Sequence, residues 1–339
     1  MQAKSRFLAL IAVTGMVAAS ALADVPHYKV LKRFPLAGDG GWDYMTVDSP
    51  SHRLFISRGT HVQVMDVTNG KLVGDIANTP GVHGIAIDRA LRRGYTSNGR
   101  ENTVTVFDLM SLKEVARIKV TGENPDAILF DSATNRVFTF NGRTGNATAI
   151  DVKTNSVVGT IKLNGKPEFP QADGMGTVFV NIEDTSEVQQ IDAKALKVVK
   201  TWKIAPAEGP SGMSIDLKHH RTFSTCDGLL AISDTKAGKL AQTAKIGDGP
   251  DAAGFDPAFD VAFSSNGGDG TLSVVARKSN GAYETVQNLP TQKSARTMAL
   301  DAKSHRIYLI GAEFQAPAPG SRRGQMKPNS AVIIVVGPA

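Results

Sequence analysis

Between Val82 and Val120 apolar and polar positions alternate in four short runs. Ile85-Ala86-Ile87 closes on Asp88, and Arg93 to Ser97 follows a polar turn. Thr103 to Phe107 alternates and closes on Asp108, and Val115 to Val120 alternates apolar with basic residues. Each run has ordinary strand length, and the gaps hold turn formers such as Asn98-Gly99. A period of two over four adjacent runs predicts a four-stranded antiparallel meander, which buries little by itself.

The rest of the chain repeats this unit. An apolar run ends in Asp at Asp48, Asp88, Asp131, Asp173, Asp216, Asp256 and Asp301, with steps of 40, 43, 42, 43, 40 and 45 residues. A second Asp closes the third run at Asp66, Asp108, Asp151, Asp192 and Asp234, and the last two copies replace it with Ala276 and Val335. The second run opens on Arg in Arg53, Arg93, Arg136, Arg221 and Arg306. Strand-only units of about 42 residues predict propeller blades. The expected fold is all-β: a seven-bladed β-propeller of four-stranded antiparallel blades.

The chain stops after the seventh third run, Ala331 to Val336, so blade seven lacks an outer strand. Tyr28 to Leu36 has outer-strand character and precedes blade one. It is expected to pair with the C-terminal strand and close the ring, which removes an open edge. Residues 24–339 then form one propeller domain, expected to be a monomer. The connection between Leu309 and Ala331 breaks the rhythm with Pro317, Pro319, Pro328, Arg322, Arg323 and Lys327, and reads as an irregular basic loop.

Ahead of the repeats, Lys4 and Arg6 precede the apolar run Phe7 to Val17 and the small-x-small site Ala21-Leu22-Ala23. That pattern predicts a secretory signal peptide over residues 1–23, cleaved before Asp24. No stretch is long and apolar enough to cross a bilayer as a helix. The single cysteine, Cys226, excludes an intrachain disulfide framework, which suits a bacterial periplasm or exterior. Net charge is +6, of which two charges lie in the leader, so the mature chain is mildly basic and compatible with a nucleic-acid partner without requiring one.

Several motifs resemble the YVTN-type seven-bladed propellers, specifically the YncE-like periplasmic family. They are the entries Gly122-Glu-Asn-Pro125 and Gly247-Asp-Gly-Pro250, the strand ends Tyr95-Thr-Ser-Asn98 and Phe263-Ser-Ser-Asn266, and the tail Ile307 to Phe314 followed by Val332 to Val336. The similarity spans the mature chain. It implies the fold and the periplasm. Some members of that family are implicated in DNA binding, and related propellers act as lactonases or as scaffolds for redox cofactors. The matched residues imply none of these activities.

The chemistry is sought where the repeats differ. Five residues before each first-strand Asp the chain should enter the channel mouth. Those positions hold Asp43, His83, Asp126, Glu168, Ser211, Asp251 and Arg296. Carboxylates crowded around one imidazole favour a cation, such as Ca²⁺, Mg²⁺, Mn²⁺ or a catalytic Zn²⁺. A salt-bridge network in which Arg296 pairs with Asp43 or Asp251 is the alternative. Ten residues after the Asp lies a second ring of Arg58, Asn98, Asn141, Cys226, Asn266 and Gly311, where Asn suits turns. Cys226 has no adjacent base, and His219-His220 reads as a solvated turn.

The leading expectation is a non-enzymatic binding propeller whose channel face holds a small polar ligand, a metal or a protein partner. A metal-assisted hydrolase or lactonase at the mouth is the second reading. The third is single-stranded DNA binding through rim groups Trp42, Arg58, Arg100, Arg143, Arg322, Arg323 and Lys327.

Overall fold

The computed structural model describes residues 25–38, 40–317 and 324–339. The signal-peptide segment 1–23 and the rim groups Arg322 and Arg323 lie outside the described residues. Seven four-stranded antiparallel sheets follow one another in chain order, and each inner strand packs against the inner strands on both sides, so the ring closes around a central channel. In blade two the strands are Val82–Asp88, Arg93–Asn98, Thr103–Asp108 and Glu114–Lys119. Blade seven is built from both ends of the chain: Tyr28–Pro35 pairs antiparallel with Val332–Pro338 as its outermost strand. Among the described residues the only helical segment is the 3-10 turn Ser49–Ser51, and no helix is long and apolar enough to cross a membrane.

A single blade cannot cover its own faces, and the core reflects this. The buried apolar residues form seven clusters, and each cluster is the interface between two successive blades. Phe138, Phe140, Val178 and Ile191, for example, join blades three and four. Met45, Leu54, Ile310 and Ile333 join blade one to blade seven. Alternation along each strand sends side chains to the two neighbouring blades in turn.

The recurring polar positions are the joints between blades. The first-strand Asp and the second-strand Arg face each other in the hairpin register, as in Asp88 with Arg93 and Asp131 with Arg136. The Arg side chain then reaches forward to the next blade. Arg53 Nη1 donates to the Leu109 carbonyl at 2.7 Å, Arg93 to Val152 at 3.1 Å and Arg136 to Ala193 at 2.6 Å. The Asn ring is also structural. Asn98 accepts from Thr96 and donates to Thr103 and Thr105; Asn266 repeats this set with Ser264, Thr271 and Ser273, and Asn141 with Thr139, Asn146 and Thr148. These fully buried amides tie the second strand to the third.

Every outer strand carries a one-residue bulge at the same place. The residues skipped in the register are Leu31, Val73, Val115, Val158, Val199, Ala241 and Val286. Six of these are exposed large apolar residues, from Leu31 at 40% to Val115 at 52%. A bulge twists an edge away from flat pairing, which protects the exposed outer strands from joining another chain.

Candidate functional site

The mouth positions owe their convergence to a second set of bulges, on the inner strands. The register slips at His83 in blade two, Asp126 in blade three, Glu168 in blade four and Asp251 in blade six. A bulge inserts a residue that does not pair and turns its side chain off the sheet. Asp43, Ser211 and Arg296 instead lie just before the inner strands that begin at Met45, Met213 and Thr297. Second-strand hydroxyls hold this rim: Ser97 donates to the Asp126 carbonyl, Ser265 to the Arg296 carbonyl at 2.5 Å, and Ser57 accepts from the Asp43 amide at 3.0 Å.

The side chains form two bonded groups. His83 Nδ1 donates to Asp43 Oδ2 at 2.6 Å and stands 3.6 Å from Asp126 Oδ1. Arg296 joins Asp251, with Asp43 Oδ1 3.5 Å from its Nη2, and Ser211 Oγ donates to Asp251 Oδ1 at 2.8 Å. The salt-bridge alternative thus describes one arc of the ring, Asp43 through Arg296 to Asp251. Lys166 completes another, bonding Glu168 at 2.7 Å and also Glu183.

Four carboxylates in this half-buried rim exceed the cations that neutralise them. Burial, reinforced by the charge of Asp126 and moderated by Lys166, raises the Glu168 carboxyl to about 8. Burial also raises Asp126 to about 6, with His83 opposing and Asp43 adding to the rise. Burial raises Asp251 as well, against the pull of Arg296. For His83, burial disfavours the imidazolium, but the hydrogen bond to Asp43 and the surrounding carboxylates outweigh it and the pKa rises. A buried acid that is only partly compensated is stabilised by a proton or by any other cation.

Below the rim, Tyr44 of blade one stacks on Phe169 of blade four, with ring centroids 4.4 Å apart and planes inclined by 27°. These blades lie on opposite sides of the channel, so the pair forms a floor and the mouth becomes a cup. The Tyr44 hydroxyl is buried and has no hydrogen-bond partner. Burial and then the charges of Asp126, Glu168, Asp43 and Asp251 drive its pKa far above the ordinary phenol value.

The other expected site residues take different places. Arg58 is fully enclosed, and its Nη2 donates to the Gly38 carbonyl at 2.8 Å, so it does not contribute to a nucleic-acid rim. Gly38 and Gly40 lie against this position: the Gly38 carbonyl accepts from the guanidinium, and a Cβ at Gly40 would fall 3.0 Å from the Arg58 carbonyl oxygen. Trp42 packs against the core between blades one and seven and leans on Phe314 at 6.1 Å, so it is a wedge beside the cup and not a free stacking wall. Arg100 and Arg143 are exposed, Arg143 lying 3.8 Å from Glu123. The loop after Gly311 is not irregular at its base. Phe314 bridges to Met326, and Lys327 bonds both the backbone and side chain of Glu313, which neutralises one of its cations. Cys226 is buried, and burial pushes its thiol up to about 12, the opposite of an activated nucleophile.

Two features went unread in the sequence. Lys166 sits two residues before Glu168 and supplies a cation to the ring; the signal was its place in the Gly165-Lys-Pro167 entry, which parallels the other blade entries. On the opposite face, His219 is not a solvated turn residue. Its Nδ1 bonds Asp216 at 2.7 Å and stands 3.8 Å from Asp260. A groove of ≈ 730 Å³ runs between blades three and four, but its ionisable groups are the turn residues Asp192 and Lys194 and nothing converges there.

No family model matches the chain, and no curated protein matches it. Solved structures do match. Kuenenia stuttgartiensis hydrazine synthase aligns over 81% of this chain and 94% of that one, with 18% identity and a TM-score of 0.71. The structure of U3-55K aligns over 92% of this chain and 98% of that one, with 10% identity and a TM-score of 0.76. The RRP9 WD40 repeats align over 93% and 99%, with 11% identity and a TM-score of 0.75. At these identities the likeness shows the propeller fold alone.

Proposed function

We propose that this chain is a binding protein, not an enzyme, and that the cup at its channel mouth takes a small cationic ligand. One observation carries the reading: Asp43, Asp126, Glu168, Asp251 and the His83 imidazole line the channel mouth, and the hydroxyl of Tyr44, next to Asp43, is buried with no partner. Two resident cations, Arg296 and Lys166, leave an acidic excess, and a ligand cation would relieve it. Aromatic rings as a floor and carboxylates as a wall also suit an organic ammonium group. The same acidity disfavours a phosphate backbone at this face, so nucleic acid is the weaker reading.

The leader over residues 1–23 supports export to the periplasm, and the entry and strand-end motifs support a place among YncE-like propellers. Both belong to the proposal. The test is a thermal-shift panel on the mature chain at pH 8. Alkyl diamines and divalent cations are expected to raise the melting temperature, while phosphate and a single-stranded oligonucleotide leave it unchanged. Stabilisation by the anions alone would overturn the reading.

A further inference from the structure

The cup is not symmetric. Asp43, His83 and Asp126 each offer one potential ligand atom, and these three atoms all lie within 4.8 Å of one another. The two contacts to His83, 2.6 and 3.6 Å, bracket the ligand-to-ligand spacing of about 3.0–3.4 Å that metal bonds of about 2.0–2.3 Å produce. Small side-chain adjustments therefore suffice.

Two further observations point to a ligand here. The Tyr44 hydroxyl, on the residue after Asp43, is buried without a partner. The imidazole is also held in a fixed attitude by space left for it. A Cβ at Gly99 would lie 2.8 Å from His83 Nε2, so only glycine lets the ring stand with Nδ1 toward the acids.

We propose that Asp43, His83 and Asp126 form a binding site for one divalent transition ion, Zn²⁺ or Mn²⁺, with the Tyr44 hydroxyl beside it. One imidazole nitrogen with two carboxylate oxygens is a mixed donor set that suits these ions, whereas Ca²⁺ takes all-oxygen shells. On binding, the ion replaces the proton that His83 Nδ1 shares with Asp43, and that proton leaves to solvent. The inference rests on the cation-binding reading and narrows it.

The test is calorimetric titration of the EDTA-treated mature chain with ZnCl₂, MnCl₂ and CaCl₂. One Zn²⁺ or Mn²⁺ per chain is expected, with Ca²⁺ weaker. His83→Gln and Asp126→Asn should each weaken binding by at least about tenfold, while His219→Gln, in the opposite-face cluster, should not. Should the cup variants fail to fold by circular dichroism, zinc-edge X-ray absorption of the wild-type chain decides: one imidazole with oxygen ligands supports the site, and two imidazoles or sulfur overturns it. Unchanged Zn²⁺ affinity in His83→Gln, or loss in His219→Gln, also overturns it. If no metal binds but a diamine stabilises the chain, the metal site falls and the cup reading stands; if neither acts, both fall.

Discussion

Tyr44 and Phe169 meet face to face across the channel, three blades apart in the ring, with centroids 4.4 Å apart. The contact spans the channel beside the mouth residues Asp43 and Glu168, and the Tyr44 hydroxyl is buried without a partner. A polar atom buried without a partner costs about 1–3 kcal/mol. Tyr44→Phe keeps the stack and removes that atom. The variant is expected to be more stable than the wild type by about 1 kcal/mol in urea unfolding, and to bind cations more weakly.

The cup also sets a pH dependence. Glu168 rises from 4.5 to about 8 in the folded chain and Asp126 from 3.8 to about 6, while His83 rises above 6.5. Over that window the folded chain holds protons that the unfolded chain has released. Stability is therefore greatest near the ordinary carboxylate pKa and is lost as pH rises toward about 8. The turn carboxylates Asp66, Asp108, Asp151, Asp192 and Asp234 are held low by hydrogen bonds from the turns that follow, so they act below this window. Urea midpoints are expected to fall between pH 5.5 and pH 8.5, and Glu168→Gln should flatten the fall. An identical slope in the variant would show that Glu168 is not the group responsible.

The forward-reaching arginines make a separate prediction. Arg136 donates to the Ala193 and Lys194 carbonyls of the next blade, at 2.6 and 3.0 Å. Charged hydrogen bonds of this kind are worth about 1.5–3 kcal/mol. Arg136→Met is expected to lower stability by that order, measured by urea unfolding. Arg221, which bonds within its own blade to Asp234, should cost less when replaced by Met.

Ring closure depends on the first strand. Tyr28–Pro35 pairs with Val332–Pro338, and Tyr28 is fully buried against Phe263, 5.0 Å between centroids. Deleting residues 25–36 from the mature chain opens the seventh sheet along the strand that carries Ile333 and Val335. The truncated chain is expected to aggregate on size-exclusion chromatography, where the full mature chain elutes as a single species.

The fold was legible because packing forces repetition. Asp88 and Arg93 recur since every blade needs the same hairpin and the same joint to the next blade, and the count of seven followed. The mouth positions were also legible, since a fixed offset from a repeated marker names one residue per blade. What the offset could not supply was direction. Inner-strand bulges at His83, Asp126, Glu168 and Asp251 turn those side chains to the axis, and a bulge leaves no mark in a period-two pattern. Contacts across the ring, such as Tyr44 with Phe169, join segments that no local pattern links. Arg58 misled because charge suggests surface, whereas a long arm can be enclosed when its guanidinium finds a partner inside, here the Gly38 carbonyl.

Whether the cup is a cation site is decided most directly by titration calorimetry at pH 8, with Zn²⁺ and an alkyl diamine as probes, on the wild-type chain and on Asp126→Asn/Glu168→Gln. At least one probe is expected to bind with one-to-one stoichiometry and to lose about tenfold or more in affinity in the double variant. No binding heat from either probe, or equal affinity in both proteins, would contradict it.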